Sequence, residues 1–217
     1  MYIIDEAEKM GIEAQNALLK TLEEPPEYAV LLLLTADAAK LLDTIRSRCR
    51  LLRPERIPED TIRTFLIEEK GISPENAGLS AAFSGGNPGL AAELSESGEF
   101  RALYREAVTL LKNAASMDIS ELYEKAQSFV SEGVSLPELF SLLENWYRDV
   151  LLLKAGGSTG RLFFSGETAA LQQISLRAKE ETIGAVFEEI RKARQRISAN
   201  VNKEMTLQFL FLKLREV

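Results

Sequence analysis

The sequence predicts a mainly α-helical protein that opens on a short α/β segment with few parallel strands. Three observations predict this. Tyr2-Ile3-Ile4-Asp5 and residues 29–34 are short apolar runs separated by a helical pattern, as in a strand–helix–strand unit. From Pro58 onward the apolar residues recur at helical spacing almost throughout. The composition, 46% apolar and 27% charged, is that of a globular chain with enough apolar surface to bury a core.

Residues 2–5 read as a buried strand ended by charge. Residues 12–24 read as a helix, with Ala14, Leu18 and Leu22 four apart and Ala17 on the same face. Pro25-Pro26 stops it, because proline lacks an amide donor and disfavours helix in the residue before it. Residues 29–34 form a second strand with no polar face, so both of its sides are expected to be covered. A short helix over 38–46 follows, then a third strand over 49–52, closed by Pro54. Helices are expected over 59–70, 74–84 and 88–96. Ser73-Pro74 starts the second of these with a capping side chain and a proline in the first turn. Ser84-Gly85-Gly86-Asn87-Pro88-Gly89 is the strongest break in the middle of the chain.

Longer helices follow over 99–115, 118–132, 136–155, 167–179, 182–200 and 203–216. Asp118 with Glu121, and Ser135 with Glu138, have capping-box spacing. Leu139, Leu143, Trp146 and Val150 form one stripe. Ile183, Val186, Phe187, Ile190 and Ile197 form another. The last helix is apolar on more than one side, which predicts a central place in a bundle or contact with a partner. Three units result: 1–54, 55–98 and 99–217.

Several function classes are excluded. There are no histidines, which removes histidine acid–base chemistry, Ser-His triads and His/Cys zinc sites. One cysteine excludes an internal disulfide. The net charge of −7 argues against the whole chain being a nucleic-acid-binding body. No apolar run reaches about 18 residues, so no membrane span is expected.

The candidate chemistry lies in the first fifty residues. Asp5 and Glu6 end a strand, where P-loop nucleotide hydrolases place a magnesium-holding Asp beside a water-activating Glu. The alternative is a solvated helix start. No Gly-x-x-x-x-Gly-Lys-Ser/Thr loop precedes them, so the chain is expected to open in the middle of a domain. Ser47-Arg48-Cys49 follows the short helix. An arginine there can reach a neighbour's nucleotide and neutralise transferring phosphate charge. The alternative is a surface arginine in the basic strip of Arg46, Arg48, Arg50 and Arg53. Cys49 has no histidine to activate it and reads as a small buried hydrophobe. Arg191, Lys192, Arg194 and Arg196 read as the wet face of an amphipathic helix. The Gly-Gly-Asn-Pro-Gly stretch lacks a Lys-Ser/Thr and a preceding strand, so it reads as a helix–helix turn.

Taken in order, these motifs resemble one family. Tyr2-Ile-Ile-Asp5-Glu6, then Asn16-Ala-Leu-Leu-Lys-Thr-Leu-Glu-Glu-Pro-Pro26, then Leu31-Leu-Leu-Leu-Thr35, then Leu42-Asp-Thr-Ile-Arg-Ser47-Arg48-Cys49 is similar to a bacterial clamp-loader subunit of the AAA+ superfamily. The likeness is close over 2–53 and stays in register through Gly86-Asn87-Pro88-Gly89. Over 99–217 it rests on an all-helical tail of suitable length. It implies a truncated AAA+ α/β remnant (1–54), a helical lid (55–98) and a helical collar bundle (99–217).

Two types within the family compete: the ATP-hydrolysing gamma/tau motor and the non-hydrolysing delta-prime type of DNA polymerase III. The motor's lid arginine falls on Gly89 here, which favours the delta-prime type. The motor's polar sensor falls on Thr35 or Ala36. Asp5-Glu6 keeps a motor truncated before its phosphate loop as the alternative. The resemblance implies that Arg48 is an arginine finger acting in trans and that Ser47 supports its loop. It makes Asp5 and Glu6 a degenerate magnesium-holding pair, not functional in this chain. It further implies no bound cofactor or metal and no enzyme activity of the isolated chain, which serves as an accessory subunit of a DNA polymerase. The partners implied are the gamma/tau and delta subunits and, through the complex, the sliding clamp and primer-template DNA, all in the bacterial cytoplasm. In this family the phosphate-loop strand lies between the strand ending near Leu34 and that near Arg50–Leu52. Residues 49–52 are therefore expected to face a gap of roughly 10 Å, filled by a neighbouring molecule unless the segment rearranges.

Overall fold

The computed structural model describes residues 1–26 and 28–217. The chain divides into two compact units, Met1–Glu55 and Arg56–Val217. In the first, β1 (Tyr2–Ile4) and β2 (Leu31–Leu33) pair in parallel, with Tyr2 opposite Leu31 and Ile4 opposite Leu33. Bonds from Tyr2 N–H to the Val30 carbonyl and from Ala7 N–H to the Leu34 carbonyl extend the ladder. Helix α1 (Ile12–Glu23) connects the strands and ends before Pro25-Pro26. The expected 38–46 helix is two shorter pieces: a single 3₁₀ turn at Ala38–Lys40, then α2 (Asp43–Arg46). Leu41 and Leu42 between them are extended, and Leu41, like Ala7 and Ile45, is buried.

Two expectations for this unit are corrected. Residues 49–52 form no strand, and Leu51 and Leu52 are exposed. Apolar character alone does not make a strand; a ladder partner must hold it, and among the described residues none pairs with this segment. Nor are both sides of the second strand covered. Val30, Leu32 and Leu34 are exposed, as are Tyr2 and Ile3 beside them. Two strands and one helix have too few side chains to cover both faces of the sheet.

The second unit is all helical. Helices α3 (Glu59–Glu68), α4 (Pro74–Phe83) and α5 (Pro88–Glu96) close on Ile62, Leu66, Ala77, Ala81 and Ala91. Ser73 and Asn87 cap α4 and α5, each with proline at the first helical position. Between these helices Gly86 has φ +88°, and a Cβ there would lie 2.6 Å from the Cβ of Arg56. The break is therefore a tight turn against the incoming chain, which only glycine permits.

Helices α6 (Gly98–Asn113), α7 (Ile119–Ser131), α8 (Leu136–Lys154), α9 (Thr168–Arg177), α10 (Glu180–Ser198) and α11 (Lys203–Leu214) form the bundle. The predicted stripe of Leu139, Leu143, Trp146 and Val150 is fully buried at its centre. Phe164 closes on Trp146 edge-to-face at 5.1 Å and stacks on Tyr104 at 5.5 Å. Phe83, at the end of α4, packs into the same cluster, so the small helical group and the bundle share apolar contact. Asp149 is wholly buried, yet its carboxylate is served by the Phe164 N–H at 2.9 Å and the Arg148 guanidinium at 2.7 Å. Helix α11 buries Leu207, Leu210, Phe211 and Leu214 against α7 and α10 and leaves Met205 and Phe209 exposed. It is thus central on one side and open on the other.

Asp118 and Glu121 form a complete capping box at α7, whereas Ser135 makes no capping bond at α8. The Asp118 carboxyl is held below its ordinary 3.8, first by the Ser120 hydroxyl and then by the Glu121 N–H. A lowered carboxylate pKa contributes stability above the unfolded-state value and loses it as pH falls through the folded-state value. Asp118→Ala is therefore expected to lower the melting temperature at neutral pH, with the gap from wild type narrowing below about pH 3.8. A gap that stays constant into acid, followed by circular dichroism, would contradict this.

Candidate functional site

The site is built where α1 and α2 meet. Helix α2 is only four residues long and is held from outside. Ile45 is wholly buried beneath it. The buried Gln15 of α1 bridges two chain segments: its Nε2 donates to the Met10 carbonyl at 3.0 Å, and its Oε1 accepts from the Leu42 N–H at 2.8 Å. Leu42 is the N-cap of α2 and carries no capping side chain; Gln15 instead satisfies the N-cap's own N–H, one of the orphan donors of the helix start. This buried amide sets where α2 begins, and with it where the arginine at its far end projects.

Arg48 lies two residues beyond α2. Its Nη1 donates to the Thr44 carbonyl at 3.0 Å, and its Nη2 pairs with Glu23 at 2.6 Å. The side chain stays 36% exposed, and a guanidinium's five N–H donors exceed these two acceptors. Ser47 donates its hydroxyl to the same Thr44 carbonyl at 3.1 Å, so it braces the turn from which Arg48 departs. Arg46 pairs with Asp43 along the helix, and Arg50 and Arg53 are exposed. Cys49 is half-buried, and burial pushes its thiol above the ordinary range, which opposes nucleophilic use.

Asp5 and Glu6 lie at the end of β1, both exposed. Asp5 Oδ1 accepts the N–H of Glu6 at 2.8 Å, and Glu6 pairs with Lys9 at 2.7 Å. Among the described residues no group of three or more Asp, Glu, Cys or His side chains converges as a metal site would require. Thr35 ends the second strand segment. Its hydroxyl accepts the Asp37 N–H at 3.1 Å, and it is the largest influence holding the Glu8 carboxyl below its ordinary 4.5. Gly89, in the first turn of α5, has its N–H tied to the Asn87 side chain at 3.0 Å. The basic run of α10 is paired throughout: Arg191 with Glu188, Lys192 with Glu189, Arg194 with Glu144 and Arg196 with Glu189.

The structure therefore brings Arg48 and Ser47 together on the Thr44 carbonyl, while Asp5 and Glu6, at the end of β1, are engaged locally. Three residues escaped the sequence reading: Gln15, Glu23 and Glu8. Gln15 offered a signal, since it lies three and seven positions before Leu18 and Leu22, on the same face of α1. Glu23 lies within the motif that ends at Pro26, but there it reads only as part of a helix stop.

Comparison with known proteins places the chain. The family model for the DNA polymerase III delta subunit matches residues 1–57, the segment that holds this site. The delta-prime subunit of DNA polymerase III from Bacillus subtilis is 30% identical over the whole chain, which spans 66% of that protein. The delta-prime subunit from Pseudomonas aeruginosa is 30% identical over 97% of the chain, which spans 64% of it. The tau subunit from Bacillus subtilis is 30% identical over 71% of the chain and 31% of its own length. With the motif order of residues 2–53 in both the sequence and the folded α/β unit, the chain belongs to the family of DNA polymerase III delta-prime subunits.

Proposed function

We propose that the chain is a delta-prime-type assembly subunit of the clamp loader of DNA polymerase III. In this reading it does not hydrolyse ATP itself. It holds neighbouring gamma/tau and delta subunits and helps the complex load the sliding clamp on primer-template DNA. Arg48 acts in trans, adding positive charge where negative charge spreads on the phosphoryl group of an ATP bound next door. Ser47 supports the turn that carries it. Residues 55–98 serve as the lid and residues 99–217 as the collar.

The observation that carries this is the state of Arg48: partly exposed, gripped at two points and left with donors to spare. A guanidinium buried in a full set of contacts could not reach a neighbour, and one held by nothing would lose its rotamer freedom on every encounter. The open outer face of α11, with Met205 and Phe209, supports the collar role. The test is Arg48→Ala in a complex reconstituted from full-length subunits; unchanged DNA-stimulated ATP turnover would remove the finger role.

The second reading is a motor-type subunit, favoured by the retained Asp5-Glu6 pair and the likeness to tau. Against it stand the local engagement of both carboxylates and a glycine at position 89, where the motor type carries its lid arginine. Under either reading the purified 217-residue chain is expected to show no ATP turnover above blank. Phosphate release that scales with its concentration would contradict this.

A further inference from the structure

We propose that Glu23 is the positioning residue for Arg48: its carboxylate, at the end of α1, aims the guanidinium and keeps it in one rotamer for use on the neighbour's nucleotide. This deepens the finger role proposed above and rests on it.

The geometry has three parts. Arg48 is a long side chain with four rotatable bonds, and an exposed arginine samples many rotamers. Here two acceptors at different points of the fork restrict it: the Thr44 carbonyl on Nη1 at 3.0 Å and Glu23 Oε1 on Nη2 at 2.6 Å. The first acceptor belongs to the same short helix and travels with it. The second comes from α1, so among the described residues Glu23 alone ties the guanidinium to the scaffold of the unit. Gln15 does the same for the backbone, fixing the start of α2 to α1 through the Leu42 N–H. One helix thus sets both where the arginine departs and where its head group lies.

The charges are arranged to make this grip firm without closing it. Glu23 and Glu24 sit at the C-terminal end of α1, where carboxylates oppose the helix dipole. A cation there is welcome, so the pair forms although both partners are solvent-accessible. The Glu23 side chain is 49% exposed and that of Arg48 36% exposed, so the remaining donors stay available. An incoming phosphate carries more charge than one carboxylate and can use the open side of the fork while Nη2 keeps its anchor.

A purely structural role for the pair, offsetting the helix end, makes a different prediction from a positioning role. The experiment separates them. DNA-stimulated ATP turnover is measured in the complex reconstituted from full-length subunits, with wild type, Glu23→Gln, Arg48→Ala and the double variant. Glu23→Gln keeps the shape and removes the charge. It is expected to lower kcat about threefold to tenfold at unchanged ATP KM, because aim is lost but ground-state binding is not. In the Arg48→Ala background the same change is expected to do nothing further. Melting temperature and assembly of Glu23→Gln are expected to match wild type.

Three outcomes overturn the proposal. If Arg48→Ala lowers turnover but Glu23→Gln leaves it equal or raises it, Glu23 does not position the finger, while the finger role stands. If the two losses simply multiply, Glu23 acts elsewhere. If Arg48→Ala itself has no effect, the finger role fails first and this inference goes with it.

Discussion

Arg48→Ala is expected to lower ATP turnover at the adjoining site by on the order of 10³-fold, about 4 kcal/mol of transition-state stabilisation. The cause is electrostatic. Phosphoryl transfer spreads negative charge over the equatorial oxygens, and a pre-aimed guanidinium needs no reorganisation at that moment. Arg48→Lys is expected to recover only part of the loss. It keeps the charge but not the planar fork, and a lysine cannot hold Thr44 and Glu23 while also meeting a phosphate. Fold stability is expected to change by less than about 1 kcal/mol in either variant, since the pair with Glu23 is solvent-exposed. ATP turnover of the reconstituted complex and thermal melting of the variant together check this. A loss of turnover accompanied by a large loss of stability would mean that Arg48 is structural.

Trp146→Ala is expected to be the most damaging single change to the fold, costing about 3–5 kcal/mol. Trp146 is wholly buried on α8 and faces Phe164, which also touches Tyr104 and Phe83. Removing the indole opens a cavity where helices α6 and α8 and the 162–165 segment meet, and interiors fill such cavities poorly. Against a typical stability of about 5–15 kcal/mol this is a large fraction. Trp146→Phe is expected to cost far less, below about 2 kcal/mol. It keeps a ring against Phe164, and it removes an indole N–H that is buried without a hydrogen-bond partner among the described residues. Urea denaturation of the three proteins checks the order. A Trp146→Phe variant as unstable as Trp146→Ala would show that the indole N–H is satisfied and important.

The helical part of the molecule was legible because its signals are local. The i, i+4 stripe of α8, the Asp118–Glu121 box, Ser73-Pro74 and the Asn87-Pro88 start each lie within a few residues of the structure they specify. The strand over 49–52 was misread because a strand has no local signal strong enough to stand without its ladder. The two faces of the small sheet were misread for a related reason. An all-apolar strand states that it prefers burial, not that anything is there to bury it.

The site divides in the same way. The residues proposed for its centre are legible in the chain alone, because the order of motifs across 2–53 singles out Ser47-Arg48 just after a short helix. Their surroundings are set by folding. Glu23 lies 25 positions from Arg48, and Gln15 lies 27 positions from the Leu42 N–H it accepts. Neither pair follows from composition or periodicity, since dozens of acidic residues could have met that arginine. The choice fell to Glu23 because buried Ile45 and the Gln15 bridge dock α2 along α1, and that docking leaves the end of α1 as the nearest negative charge to the guanidinium.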